Sequence, residues 1–239
     1  MAVNWDSYLP DVLLEVPGCP SPVAIHAIRG AAIMVCQDEH VWREELAAVN
    51  LVAAAGDIAV PAPAGSEIVS VLRVGFYAVG QTKALEVAGP VDAATLDSLR
   101  PGWRDEINVG TRNSIEACAY PSTKVLRVIP KPVVNQTGAI AIYAALKPTR
   151  ASVNGPDLLF NEYLETVVMG AQAKLLAIPG KPWTDYNAAA YKSGQFMQMK
   201  TNAGIRVLRG AGSGSLTAYQ RSLGSDIFTS QSSYFRTVP

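Results

Sequence analysis

Apolar residues recur at helical spacing near both ends of the chain and at strand spacing between them. Over 7–16, Leu9, Val12, Leu13 and Val16 share one helical face. Pro17, Gly18 and Pro20 end that segment. Ser21 then stands as an N-cap with Pro22 at the first helical position. From there Ala24, Ala27, Ile28, Ala31, Met34, Val35 and Val41 keep a 3.6-residue period to about Glu45. His26, Arg29, Gln37 and Glu39 fall mostly off the stripe, whose small residues permit close helix packing.

After Asn50 the period shortens. DIAVPAP (57–63), EIVSVLRVGFYAV (67–79), KALEVA (83–88), SIEACAY (114–120), KVLRVIP (124–130) and GAIAIYAAL (138–146) are rich in Val, Ile and aromatics and bounded by Pro, Gly, Ser and Asn, so they predict strands. KVLRV alternates, whereas GAIAIYAAL is nearly all apolar, as a strand buried on both faces is. VDAATLDSLR (91–100) reads as a short helix. The short gaps suit antiparallel connections in a small sandwich or barrel.

Helical spacing resumes at Asp157, an N-cap candidate. Leu164, Val168, Ala171 and Leu175 form its better face, with Leu159, Tyr163 and Val167 also apolar, so broad burial is expected. Pro179 and Gly180 stop it. Thr184 or Asp185 caps a last helix carrying Tyr186, Ala189, Ala190, Phe196, Met197 and Ala203, with Lys192, Gln195, Gln198 and Lys200 as its solvated side. Trp183 stands at the start of that helix as an N-terminal staple. Trp42, where the long helix meets the strands, is positioned to wedge the two regions at a fixed angle.

From Gly210 the character changes. GAGSGSL has linker composition. The rest lacks an apolar period but holds Leu216, Tyr219, Phe228, Tyr234 and Phe235, together with Arg221. Aromatics without a core of their own point to an arm that orders on a partner, the alternative being a tail folded back on its own domain.

These patterns predict an α+β chain. A discontinuous α-helical bundle (1–46 and 151–209) carries an inserted antiparallel β-sandwich or barrel (47–150) and an extended C-terminal arm (210–239).

Composition narrows the chemistry. With 17% charged residues against 49% hydrophobic, the chain has fewer solvated positions than the roughly 25% charged share of ordinary domains. It is either a well-packed monomer or a subunit with much of its surface covered by others. Twenty basic and twenty acidic residues cancel, which argues against a dedicated nucleic-acid binder but not against a neutral channel wall. Cys19, Cys36 and Cys118 lack metal-ligand spacing and suit a reducing cytosol. The start MAVNWDSYLPD lacks the marks of a signal peptide, and no apolar run approaches a membrane span.

The catalytic inventory is empty. His26 and His40 lack a second ligand at helical spacing, and Asp38, Glu39 and His40 point in different directions on a helix. GAGSGS (210–215) follows a helix and lacks the Lys-Ser/Thr of a phosphate loop. In IPGKPW (178–183), Pro follows Gly-Lys and cannot donate a cradle N–H. Arg206, Arg209 and Arg221 are either phosphate or acidic-surface contacts, or solvated helix-end cations. No cofactor is implied.

The phrases VPGCP, HVWREEL, ALKPTRA (145–151), LLFNEYLETVVMGAQAKLLAIPGKPWTD (158–185) and AAAYKSGQF (188–196), in this order, resemble the head-to-tail adaptor proteins of short-tailed and related tailed bacteriophages. The resemblance covers roughly residues 5–205 and leaves the tail least matched. It implies a homo-oligomeric ring, commonly of twelve copies, beneath the portal protein. Helical domain and arm grip the portal, the β-domain faces the tail nozzle or tail tube, and double-stranded DNA passes through. The implied location is the virion neck, after assembly in the host cytoplasm, with no membrane and no catalysis. Two alternatives stand beside it. One is a β-sandwich binding module for a glycan or receptor on a helical anchor, against which the aromatic-free loops 61–66 and 134–138 weigh. The other is an unrecognised enzyme, such as a Cys118 hydrolase.

Overall fold

A computed structural model describes residues 2–78, 85–108, 113–122 and 124–209. The chain is α+β: helices and mainly antiparallel sheets both contribute. It opens with β1 (Ala2–Asn4), a 3-10 turn (Trp5–Tyr8) and α1 (Leu9–Leu13), then α2 (Ser21–Glu39). The expected helix over 7–16 is thus split. The N-cap of α2 is Pro20, in extended geometry, and Ser21 is already helical.

Helix α2 is shorter than its apolar period predicts. His40 adopts a left-handed conformation (φ 50°), and its N–H closes on the Cys36 carbonyl. A left-handed residue just past the last turn is a standard helix terminator. Arg43 Nε then donates to the His40 carbonyl at 3.0 Å. The residues expected to continue the helix form β2 (Arg43–Glu45) instead, paired with Tyr143–Ala145. Here the ladder hydrogen bonds of a waiting strand outweigh helical spacing that no longer has a core to face.

The strands continue as β3 (Val49–Leu51), β4 (Asp57–Ala59), β5 (Ser66–Phe76), β6 (Leu85–Glu86) and β7 (Ala88–Val91). After α3 (Ala93–Leu99) come β8 (Ala117–Ser122), β9 (Val125–Ile129), β10 (Gln136–Pro148) and β11 (Asn154–Pro156). Strand β10 organises the larger sheet. It pairs with β5 along one edge and with β3 and then β2 along the other. Its near-continuous apolar sequence answers to that central place, with Ala139, Ile140, Ile142 and Ala144 to Leu146 buried. The second sheet runs β4-β9-β8-β7. Its β7–β8 pair is parallel, against the all-antiparallel expectation, because α3 and the following loop carry the chain back across before β8 begins.

Helices α4 (Asp157–Leu176) and α5 (Tyr186–Arg209) end the described chain. Pro156 is the N-cap of α4, so Asp157 is its first helical residue, where a carboxylate suits the helix dipole. Asp185 caps α5, its Oδ1 accepting from the N–H groups of Asn187 and Ala188 at 2.9 Å. Gly180 takes φ +69° in the turn between the helices. Strand β11 pairs with β1 just ahead of α4, and Trp5 lies against Gly155 where any Cβ would fall 2.4 Å from the indole.

Two main cores result. One joins Trp5, Tyr8, Ile28, Val35, Leu159, Val167, Leu175 and Phe196, from both ends of the described chain. The other joins Leu51, Val74, Leu126, Ile140, Ile142 and Leu146 from the stretch between. Leu96, Trp103, Ala119 and Ile129 make a smaller cluster under α3.

Candidate functional site

Trp42 packs against both main cores. It lies beyond the helix end rather than within it, and its carbonyl accepts from Leu146 N–H at 2.8 Å. Lys147 Nζ donates to Gln37 Oε1 at 3.0 Å, a second tie between β10 and α2. The helical and sheet regions therefore meet along α2 and β10.

Helices α2, α4 and α5 meet at Gly170. A Cβ there would stand 2.7 Å from the Phe196 ring and 2.9 Å from Ala31 Cβ. A lone glycine in an apolar helix pattern signals such an approach, and it was the available clue in the GAQA stretch. Tyr163 breaks the helical conformation of α4 (φ −126°). Arg206 of α5 sits 6.0 Å over its ring and pairs with Glu162 at 2.9 Å. Burial raises the Tyr163 hydroxyl pKa.

The expected solvated side of α5 is corrected at two positions. Lys192 is 8% exposed and Lys200 7% exposed. Their ammonium groups pair with Glu15 at 2.6 Å and Asp38 at 2.7 Å. A charge on this face is buried because α2 and the segment ahead of it supply carboxylates at the right height. Gln198 is exposed, and Gln195 is half-buried with its amide donating to the Tyr191 hydroxyl.

The adjoining face of α5 is apolar and open. Tyr186 is 60% and Met197 49% exposed. With Ala173 and Ala177 of α4 and Met34 of α2 they line a groove of about 450 Å3. Trp183 lies ahead of the Asp185 cap, packed on the helical core, with its Nε1 buried and without a hydrogen-bond partner among the described residues. Pro179 and Gly180 are exposed at the turn. Thr184 braces that turn: its hydroxyl accepts from Lys181 N–H and donates to the Ile178 carbonyl.

The arm residues Leu216, Tyr219, Arg221, Phe228, Tyr234 and Phe235, and the GAGSGS stretch, lie outside the described residues. His26 is exposed. Cys19, Cys36 and Cys118 are buried and form no disulfide among the described residues, and burial pushes the Cys36 and Cys118 thiols up to about 12. A thiol held that high is protonated at neutral pH and is a poor nucleophile. Among the described residues, no three His, Cys, Asp or Glu side chains gather as a metal site. Among the same residues no helix is long and apolar enough to cross a membrane.

No family model matches this chain, and no curated protein matches it.

Proposed function

We propose that this chain is a structural ring subunit, a head-to-tail adaptor of the bacteriophage kind that its sequence phrases resemble. Its finer architecture in this reading is a discontinuous helical bundle with an inserted antiparallel sandwich or barrel and a C-terminal arm. Twelve copies form a ring in the virion neck that continues the DNA channel from portal to tail nozzle or tube, without catalysis.

One observation carries the reading: the helical half leaves large apolar side chains in water. Leu14 is 79% exposed, and Tyr186, Tyr191, Met197 and Leu208 are exposed along α5. Tyr186, Met197 and Leu208 recur every eleven residues and so share one face of α5, and an exposed apolar face of this kind suits a contact with another chain. In a closed ring each subunit shows a different surface to each neighbour, and these side chains become the covered ones. The thiols held protonated by burial are in keeping with a non-catalytic role.

Mass photometry of the full chain mixed with the portal ring of the same genome tests it. The expected gain is ~305 kDa, twelve copies of a 25.4 kDa chain in a closed ring. A protein that stays at 25.4 kDa beside an unchanged portal sinks the proposal. Deleting residues 211–239 is expected to abolish portal binding while leaving the circular dichroism spectrum of the folded part.

A second reading, glycan or receptor binding by the sheet region, rests on a different observation. Tyr143 and Tyr77 flank Arg73 and Glu45 in a depression of about 290 Å3 on the larger sheet, with Arg73 5.6 Å over the Tyr143 ring. Aromatic faces beside charged hydrogen-bonding groups suit a sugar. A glycan-array signal lost in Tyr143→Ala favours this reading; a blank array removes it.

A further inference from the structure

Among the described residues, three cations near the crossing of α2 and α4 have no carboxylate within ion-pair distance. Lys174 of α4 lines the apolar groove at its α2 side. Its Nζ lies 3.0 Å from the point a Cβ on Gly30 would occupy, so the ammonium rests on the backbone of α2. Arg29, the preceding residue of α2, donates through Nη1 to the Arg150 carbonyl, while its buried Nε has no acceptor among the described residues. Burial first, and the Arg150 charge second, lower the Lys174 pKa. Lys192, Lys200, Arg127 and Arg206 each stand within ion-pair distance of a carboxylate. Among the described residues none stands so near Arg29, Arg150 or Lys174.

The groove thus presents apolar walls with a positive end. An occupant that suits both has a carboxylate next to bulky apolar side chains. Residues 210–239 contain one acidic side chain, Asp226, and it is followed directly by Ile227 and Phe228. Reach permits the match. From Arg209 back to Tyr186 along α5 is ~35 Å at the helical rise per residue. The sixteen residues 210–225 span up to ~55 Å when extended.

We propose that the segment Asp226–Phe228 docks in the groove of its own molecule, with the Asp226 carboxylate among Lys174, Arg29 and Arg150 and the Ile227 and Phe228 side chains between α4 and α5. This does not depend on the adaptor reading. Where both hold, the groove shelters the arm until a partner draws it out, and the covered surface becomes available on assembly.

Zero-length carbodiimide cross-linking of the full chain tests it. The reagent activates a carboxylate, the neighbouring lysine amine attacks, and an amide forms with net loss of water. Peptide mass spectrometry is expected to show a Lys174–Asp226 amide, absent in Asp226→Asn. Its yield falls about tenfold in Phe228→Ala, since burying a Phe contributes at least the 1.4 kcal/mol that a factor of ten represents. Lys200–Asp38 and Lys192–Glu15 amides serve as internal controls for folding. Control amides without Lys174–Asp226 overturn the proposal. So does a Lys174–Asp226 amide that joins isotope-labelled to unlabelled chains, which assigns the groove to a second copy instead. So does a Lys174 link to Glu44 or Glu45, which assigns the cations to another acidic surface.

Discussion

Two ion pairs of the helical region have a buried lysine, whereas those of the sheet region lie at partly exposed positions. Lys192 and Lys200 of α5 are buried, held by Glu15 and Asp38. In the sheet region Arg127 pairs with Asp57, and Arg104 with Asp97, at partly exposed positions. The reason lies in how each region sets its register. Strands are located by their backbone ladders, as β10 is by β5 and β2. Helices that meet through Ala31, Ala171 and Gly170 have smooth faces that slide against one another easily. Paired charges at two heights, with Glu15 ahead of α2 and Asp38 near its end, give α5 one position. Charged pairs are therefore expected to govern the helical region and aliphatic packing the sheet region.

The largest expected effects come from truncating each core. Ile142→Ala in β10 and Leu159→Ala in α4 remove fully buried side chains and should each cost about 2–5 kcal/mol in chemical denaturation. Thiol labelling sharpens the result, because Cys36 reports on the helical core and Cys118 on the sheet core. With Trp42 packed on both, the two thiols of the native protein should become reactive at the same denaturant concentration. In Trp42→Ala the two transitions should separate; coincident labelling in that variant would show that Trp42 does not couple the cores.

Gly170→Leu tests the triple helix contact. Phe196 and Ala31 leave no room for a side chain, so a loss of about 1–3 kcal/mol is expected. An unchanged denaturation midpoint would mean that the helices separate at little cost.

Next comes the contrast between charges. Asp38→Ala strands the buried Lys200 ammonium. Because Asp38 is itself partly exposed, the cost should be about 2 kcal/mol, below the 3–5 kcal/mol of a fully buried pair. Asp57→Ala in the sheet region should cost under ~1 kcal/mol and less at high salt. Equal losses in the two variants would break the comparison.

The last tests concern pH. The Arg127 hydrogen bond holds the Asp57 carboxyl below its usual range. Its contribution is present above the unfolded value near 4 and fades as pH falls through the lowered folded value. Cys36 and Cys118 run the other way. Their folded values of about 12 exceed the ordinary thiol value. They favour folding below about pH 9 and lose that contribution as pH rises from 9 towards 12. Denaturation midpoints in Cys36→Ser and Cys118→Ser should lose this alkaline slope.

Much of the candidate site was visible in the sequence as separate pieces. Tyr186 and Met197 stood on the last helix, and Trp42 stood at the passage from helix to strands. The cation cluster was not visible, because Arg29, Arg150 and Lys174 come from three distant segments and each alone looks like a solvated charge. The burial of Lys192 and Lys200 was hidden for the same reason: a lysine reads as solvated until a carboxylate from another helix stands beside it.

The sequence by itself determined where the longer helices and the main strands form, since periodicity, Pro-Gly breaks and β-branched runs act within a few residues. It determined that helices flank a strand-rich stretch, and it narrowed the cap of α5 to Thr184 or Asp185, between which the fold chose Asp185. Tertiary structure alone decided that α2 stops at Glu39, that Arg43–Glu45 joins a sheet, and that β7 runs parallel to β8. Each of these depends on which distant backbone or charge is in place to receive a segment, and local spacing holds no record of that.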